Sequence, residues 1–237
     1  TLDGTRVHIL GRASPVVVDP GPADPAHLTS LGEALAEARS VTVLVTHGHA
    51  DHAGAVTPVV EGLEARGVAV DVRGSGHEKA TPLADGEAMR TEVGTLVSVA
   101  TPGHTRDHLA FHWREARSLF AGDLLMGEGE TTWVAGYPGC VADYLASLTR
   151  LRALDLRVIY PAHGPALGDA SDAIHRFEAH RRERIAQVRA ARAELPDASP
   201  DELLDAVYGD TVPPDLRSAA LESLEALLEF VERHPAS

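Results

Sequence analysis

Three histidines and one aspartate lie close together in the segment Thr46–His52, which reads Thr-His-Gly-His-Ala-Asp-His. The side chains of metal-ligand type are His47, His49, Asp51 and His52. Imidazoles combined with a carboxylate suit zinc or a similar divalent ion far better than calcium or magnesium, which prefer oxygen ligands. A polar loop that contains several histidines by chance is the alternative, but such crowding within one turn favours a metal site.

The same residue types recur after later hydrophobic stretches. His104, Asp123 and His163 each follow an apolar run, and each has a glycine beside it. In α/β proteins, side chains that follow strand ends are brought together at one edge of a sheet. We therefore predict that His and Asp residues from four strand ends converge on one site.

Asp19 is a further carboxylate at a predicted strand end, directly before Pro-Gly-Pro. It has two interpretations. It orients a ligand histidine through a hydrogen bond, or it is a turn-forming aspartate.

Hydrophobic periodicity predicts an α/β framework for these residues. Val41–Val45 is typical of a buried strand that ends at the histidine cluster, and a helical pattern starts near Ala53. Strands occur both in hairpins and in strand–helix–strand units, which favours a mixed β-sandwich flanked by helices over a purely parallel sheet. We predict further strands over residues 7–10, 16–18, 68–72, 87–91, 96–100, 109–113, 118–121 and 158–160, and helices that begin at Pro25 and span 140–154.

Only helical patterns follow from residue 171 onwards. The first, over 174–193, has six arginines against two glutamates between His175 and Arg192, and two more helices are predicted over 201–207 and 215–231. The apolar stripe of the last helix is expected to pack on the rest of the fold rather than to form a groove for a partner. We predict two domains, a catalytic domain over 1–170 and a helical cap domain over 171–237.

The composition excludes several classes of function. With 237 residues and a net charge of −14, the chain has no global basic field that would attract nucleic acid or an acidic membrane. Its single cysteine, Cys140, excludes an internal disulfide and an all-cysteine metal site, and we expect it to have a structural role. No apolar run approaches the roughly 20 residues of a membrane span, and no signal peptide is visible. We expect a cytoplasmic protein with no membrane partner.

The motifs resemble those of the metallo-β-lactamase superfamily of metal-dependent hydrolases. Pro102-Gly103-His104-Thr105, Gly127-Glu128-Gly129 and His180-Arg181-x-x-Arg184 are also similar to the β-lactamase-like protein 2 group, whose characterised members include single-strand endoribonucleases. The resemblance implies an α/β fold, namely an αββα sandwich with a C-terminal all-helical, winged-helix-like extension. The chain departs from the family at Ala162, where glycine is common, and over Thr5–His8, where many relatives have a Thr-Asn-Thr-Trp-like stretch.

The resemblance also implies a dinuclear metal site. It implies two Zn²⁺ ions, or other divalent ions such as Mn²⁺ or Fe²⁺, with Asp123 as a bridge that offsets the repulsion of cations roughly 3.5–4 Å apart. A bound water with a pKa near 7 then supplies a metal-bound hydroxide as the nucleophile, and Asp51 orients that water or shuttles its proton. The implied ligands are His47, His49 and His104 for the first ion and Asp51, His52 and His163 for the second.

Four other residues have open roles. His108 either contacts substrate and buffers a leaving-group proton or is a hydrogen-bonded histidine beside the ligands. His180 and Arg181 either reach over the site or lie on a solvated helix face. Tyr160 most simply packs near its strand end.

The sequence favours hydrolysis of a small ester, thioester or lactone, because the chain is acidic and its helical cap is small. A single-strand-specific metallo-endoribonuclease is the main alternative, because the Arg-rich helix could contact phosphates. A mononuclear iron dioxygenase and a non-catalytic metal-binding module are disfavoured by the full ligand set. The expected partner is a small acyl substrate, with RNA as the alternative, and the oligomeric state stays open.

Overall fold

A computed structural model describes residues 4–129, 131–209 and 212–235, and its strands form two sheets. Strands β1–β5 form the first sheet in sequence order, with β1 antiparallel to β2 and the other neighbours parallel. The second sheet has the order β10-β9-β8-β7-β6 and is antiparallel except for the β9–β10 pair. The strands are β1 (His8–Leu10), β2 (Val16–Val18), β3 (Ser40–Val45), β4 (Ala69–Gly74), β5 (Thr81–Pro82), β6 (Ala88–Thr91), β7 (Gly94–Ala100), β8 (Leu109–Trp113), β9 (Ser118–Gly122) and β10 (Val158–Pro161).

Alternation along the strands divides the core into layers. In β2, Val16 and Val18 pack with Leu44 of the neighbouring strand β3 and with Phe111 and other residues of the second sheet. Val17 belongs instead to a cluster formed with helices on the outer face of the first sheet. Because successive side chains of a strand point to opposite faces, a sequence of consecutive valines serves both layers at once.

Helices cover the outer faces of both sheets. Leu31 and Val59 lie in the cluster on the first sheet, whereas Leu148 and Phe177 lie in the cluster on the second. This arrangement confirms the predicted αββα sandwich with a helical extension. The helices are α1 (Pro25–Ala34), α2 (Ala50–Ala53), α3 (Val56–Glu64), α4 (Cys140–Arg152), α5 (Ala170–Glu194), α6 (Pro200–Tyr208) and α7 (Arg217–Arg233).

Most predicted elements agree with the structure, and the differences are local. The helix expected near Ala53 is split, because the histidine cluster itself forms the short helix α2 before α3. Strand β5 has only two residues and was not predicted. The last α-helix begins at Arg217 rather than 215, after a 3₁₀ turn over Pro214–Leu216.

The helical extension shares a core with the second sheet. Leu119 and Ile159 of that sheet lie in the same buried cluster as Leu203 of α6 and Leu227 of α7. In the described part of the extension there are helices and no strands, so its likeness to a winged helix is limited to the helices. The domain boundary after residue 170 stays a prediction. None of the described helices combines the length and apolar character that a membrane span requires.

Candidate metal centre

Loops at one edge of the sandwich bring the predicted ligands together. His47 and His49 follow β3, and Asp51 and His52 lie in α2, which begins directly after His49. Gly48, between the first two histidines, leaves room for the backbone of Gly76, whose carbonyl oxygen would lie 2.5 Å from an added Cβ. The remaining ligands follow strands of the second sheet: His104 after β7, Asp123 after β9 and His163 after β10.

The seven side chains form two groups with metal-binding geometry. The first consists of His47, His49, His104 and Asp123, and the second of Asp51, His52 and His163. Within each group, one ligand atom from every residue lies within 4.8 Å of the others. These are the seven ligands predicted from the sequence. The six ligands other than Asp123 fall into the two sets that the resemblance implied, and Asp123 joins the first set.

The carboxylate of Asp123 faces both groups. Its Oδ2 lies 3.5 Å from Nε2 of His104 in the first group. Its Oδ1 lies 3.3 Å from Nε2 of His52 and 3.4 Å from Nε2 of His163 in the second. A carboxylate with one oxygen towards each group has the arrangement that a bridging ligand needs.

Hydrogen bonds on the far side of the rings fix which nitrogen faces the centre. His104 Nδ1 donates to the Trp133 carbonyl at 2.9 Å, and His163 Nδ1 donates to the Gly4 carbonyl at 3.1 Å. A carbonyl can only accept a hydrogen bond, so each ring carries a proton on Nδ1 and turns its Nε2 inward. His49 differs, because its Nδ1 faces the centre and lies 3.1 Å from Nε2 of His104.

Asp19 orients His52 directly and His47 through Thr46. Its Oδ2 accepts from His52 Nδ1 at 2.9 Å and from the Thr46 hydroxyl at 2.8 Å, while its Oδ1 accepts from the Thr46 amide at 2.8 Å. Because the Thr46 hydroxyl gives its proton to Asp19, its oxygen accepts from His47 Nδ1 at 2.9 Å. Both histidines therefore turn Nε2 inward, and Asp19 occupies the orienting position that one of its two interpretations described.

The inward atoms fit a metal ion. His47 Nε2, His52 Nε2 and Asp123 Oδ1 are buried and have no hydrogen-bond partner in the described part of the chain. Buried polar atoms without partners are rare, because they lose their hydration without compensation. Three such atoms, all of ligand type and all directed at the same space, would be satisfied by divalent cations.

Burial and close contacts shift the pKa values of these groups in opposite directions. Burial, with nearby imidazoles, lowers the pKa of His47, and burial also lowers that of His104, so both stay neutral as ligands must. Burial opposes the charge of His52, but the nearby carboxylates of Asp123, at 3.3 Å, and Asp19, at 2.9 Å, outweigh it and raise its pKa to about 10. Burial likewise opposes the charge of Asp123, yet the imidazoles of His163 and His52, 3.4 and 3.3 Å from its Oδ1, lower its pKa. A metal ion would displace the proton of His52.

His108 is part of the framework around the site. It is buried, its Nε2 accepts from the Asp123 amide at 3.2 Å, and its Nδ1 donates to the Thr101 hydroxyl at 2.8 Å. Burial and the nearby His104 lower its pKa to about 3. With both ring nitrogens engaged and only 1% of its surface exposed, it has no free nitrogen with which to contact substrate or to exchange a proton with a leaving group. We therefore correct its catalytic assignment in favour of the hydrogen-bonded alternative.

The other open residues have distinct positions. Tyr160 stacks on Phe120, with ring centroids 5.4 Å apart, and packs in the core near its strand end. Arg181 is buried at 4% exposure, so the solvated helix face is wrong for this residue. His180 and Arg181 line a cleft of about 530 Å³ together with Trp133 and Tyr208. The indole of Trp133 contacts the ring of His104 edge-on, with centroids 5.8 Å apart, so the cleft adjoins the metal centre.

Several supporting residues were not found from the sequence. Thr46, Thr132 and Trp133 hold ligands through a hydroxyl or a backbone carbonyl, which many sequence positions can offer. Thr5 belongs to the stretch that departs from the family, and its hydroxyl donates to Asp51 Oδ2 at 3.0 Å. Among these supporting residues, only Thr46 has a sequence position that points to its role, because it directly precedes the ligand His47.

Comparisons with known proteins agree with this site. The model of the metallo-beta-lactamase superfamily matches residues 7–163. A beta-lactamase-like protein 2 homolog from Caenorhabditis elegans is 30% identical over 97% of this chain and 79% of its own length. An atrochrysone carboxyl ACP thioesterase from Paecilomyces divaricatus is 30% identical over 94% of this chain and 72% of its own length. The crystal structure of a metallo-beta-lactamase family protein from Thermus thermophilus superposes with a TM-score of 0.78 at 24% identity, covering 98% of this chain and 89% of that one.

The matched segment contains all seven candidate ligands and both sheets. The chain therefore belongs to the metallo-β-lactamase superfamily and is an enzyme of its hydrolase class. Within the superfamily it groups with the β-lactamase-like protein 2 homologues, which it resembles along nearly its whole length.

Proposed function

We propose that this enzyme holds two divalent metal ions and hydrolyses a small ester, thioester or lactone, with thioesters as the first class to test. The observation that carries the proposal is the position of Asp123 between two groups of ligand atoms. Its two oxygens face opposite groups, which is the arrangement of a bridging carboxylate. The thioesterase names of two relatives that are 29–30% identical support the choice of thioesters.

In this proposal His47, His49 and His104 would hold one ion, Asp51, His52 and His163 would hold the other, and Asp123 would serve both. Zn²⁺ suits the His-rich donor set best, and Mn²⁺ or Fe²⁺ are the alternatives. When bound there, such ions would lower the pKa of a bound water towards about 7 and would polarise a scissile carbonyl. The domain with these ligands spans 1–170, and the helical cap of 171–237 contributes residues such as His180 and Tyr208 to the lining of the adjoining cleft.

Asp51 is suited to proton transfer because it is more exposed than the other acidic ligand. Its side chain is 28% exposed, compared with 8% for Asp123. Oδ2 accepts from Thr5 and lies 3.3 Å from His163 Nε2. We assign Asp51 the uptake of the proton that an attacking water would lose.

The cleft beside the metal centre offers a place for the acyl part of the substrate. Trp133 forms its wall next to His104, and apolar residues such as Met126 and Leu216 contribute further surface. His180 and Arg184 lie on the side of α5 that faces the cleft. A flat or chain-like apolar acyl group with a polar end matches this lining.

The Arg-rich helix offers little support for binding RNA. Each of its six arginines has a partner within the chain, and for Arg176 and Arg182 that partner is a carboxylate that offsets the charge. Arg182 bonds to Glu178, and Arg184 lies over the ring of Tyr208 at 4.3 Å. The remaining partners are Asp172 for Arg176, the Thr132 carbonyl for Arg181, the His234 carbonyl for Arg189, and the carbonyls of Pro196 and Ala198 for Arg192.

The decisive experiment loads metal-free protein with Zn²⁺, Mn²⁺ or Fe²⁺, measures metal content, and assays acyl thioesters, an activated ester, a lactone and fluorescent single-stranded RNA in parallel. We expect about two ions per chain and release of free thiol from thioesters, lost in Asp123→Ala. Turnover should change little with salt, whereas phosphate contacts would give a steep dependence. RNA cleavage that needs Asp51 and Asp123, without turnover of any acyl substrate, would contradict the proposal.

A further inference from the structure

Arg181 is an unusual residue for the interior of a protein, because its charge is buried against neutral groups. Its Nη2 donates to the Thr132 carbonyl at 2.8 Å, and its guanidinium lies 5.2 Å from the ring centroid of Tyr144. Its Nε is buried without a hydrogen-bond partner in the described part of the chain. Burying a charge is costly unless its contacts secure the surrounding structure, so the position of those contacts is informative.

The first contact leads to the metal centre through the segment Thr132–Trp133. The hydroxyl of Thr132 donates to the backbone carbonyl of Asp123 at 2.7 Å. The carbonyl of Trp133 accepts from Nδ1 of His104 at 2.9 Å. A segment of two residues therefore contacts both the backbone of Asp123 and the ring of His104, and Arg181 holds that segment from α5.

The second contact leads to His104 through Tyr144. Tyr144 is buried, and a Cβ on Gly103 would lie 2.8 Å from its Cα and Cβ atoms. Gly103 has φ +144 and directly precedes His104, so its backbone can pack against Tyr144 only because it lacks a side chain. Arg181 lies over the ring of the same tyrosine.

We propose that Arg181 is a positioning residue, which holds the Thr132–Trp133 segment and Tyr144 in place and thereby orients His104 and Asp123. The inference rests on the proposed metal function of those two residues. It follows that the helical extension, which supplies none of the seven candidate ligands, contributes to metal affinity. Groups that orient metal ligands typically change affinity or activity by 10- to 100-fold when they are altered.

The test compares Arg181→Met with Arg182→Met, a matched control on the same helix whose side chain is 62% exposed. Zn²⁺ affinity is measured by competition with a chromophoric chelator, and the ligand geometry by the visible spectrum of the Co²⁺-loaded protein. We expect Arg181→Met to weaken at least one Zn²⁺-binding step about tenfold, to alter the Co²⁺ spectrum, and to lower kcat more than it raises KM. Arg182→Met should behave like the wild type.

Two further variants separate positioning from simple stability. Thr132→Val removes the bond to Asp123 but keeps the carbonyl that Arg181 contacts, so its effect should combine with that of Arg181→Met less than additively, as coupled residues do. Arg181→Lys keeps the charge and should have an intermediate effect on Zn²⁺ affinity. These two variants carry the test if Arg181→Met does not fold.

The proposal is overturned if folded Arg181→Met keeps wild-type Zn²⁺ affinity and an unchanged Co²⁺ spectrum, even if its melting temperature falls. With Arg181→Met unfolded, wild-type affinity in both Thr132→Val and Arg181→Lys would overturn it equally. A wild-type protein that binds no Zn²⁺ would instead refute the proposed function itself. The two failures are therefore distinguishable.

Discussion

The two groups of candidate ligands are supported by different parts of the molecule. In the first group, His47 and His104 are buried, and their partners are the Thr46 hydroxyl and the Trp133 carbonyl. In the second, Asp51 is partly exposed and bonds to Thr5, while His163 bonds to the carbonyl of Gly4. Apart from His49, which is partly exposed, the first group is thus held by the interior of the fold, whereas Asp51 and His163 of the second group bond to the segment before β1.

This difference predicts unequal affinities. Ligands fixed on rigid, buried elements hold their geometry better than ligands fixed by exposed segments, so the first group should bind its ion more tightly. His52 is the exception within the second group, because Asp19 holds it in the interior at 2.9 Å. The following variants test this predicted difference in metal affinity between the two groups.

Asp123→Ala should have the largest effect, because it removes the one residue that both groups share. Without the carboxylate, two cations close together repel each other, and both affinities should fall. We expect a loss of activity of at least about 100-fold, the upper end of the range for groups that merely support metal ligands. The measurement is metal content after dialysis, together with turnover of an activated ester. Two retained ions with full activity would contradict the bridging assignment.

Asp19→Asn should have an intermediate effect on both groups. An amide cannot replace a carboxylate that accepts from His52 Nδ1, the Thr46 hydroxyl and the Thr46 amide at once. His52 of the second group and, through Thr46, His47 of the first should lose their orientation. We expect both Zn²⁺ affinities to fall about 10- to 100-fold, as measured by chelator competition. An effect confined to one binding step would show that Thr46 positions His47 without Asp19.

Thr5→Val should have the smallest effect and should act on the second group alone. The substitution preserves shape and removes one hydrogen bond to Asp51 Oδ2. A single hydrogen bond contributes about 1 kcal/mol, so the weaker Zn²⁺-binding step should weaken about fivefold while the tighter step is unchanged. Stepwise titration followed by calorimetry resolves the two. Equal weakening of both steps would remove the distinction between the groups.

Much of the candidate site could be predicted from the sequence because histidine and aspartate side chains can be recognised as metal ligands by residue type and spacing. His47, His49, Asp51 and His52 lie within one turn, and a histidine or carboxylate at a strand end is visible as a residue type. The strands themselves follow from apolar runs such as Val41–Val45, since burial of both faces requires continuous hydrophobicity. The order of elements then implies the layered sandwich.

Only the tertiary structure decided which groups hold the ligands in place. The bond from Arg181 to the Thr132 carbonyl spans 49 residues of sequence, and that from His163 to Gly4 spans 159. Their acceptors are backbone carbonyls. Every residue has one, so such an acceptor cannot be recognised from the amino-acid sequence. The sequence alone also left His108 open between catalysis and support, because exposure and hydrogen bonding, rather than the identity of the side chain, determine its role. Residue chemistry thus determined what the site contains, and packing determined how each part is oriented.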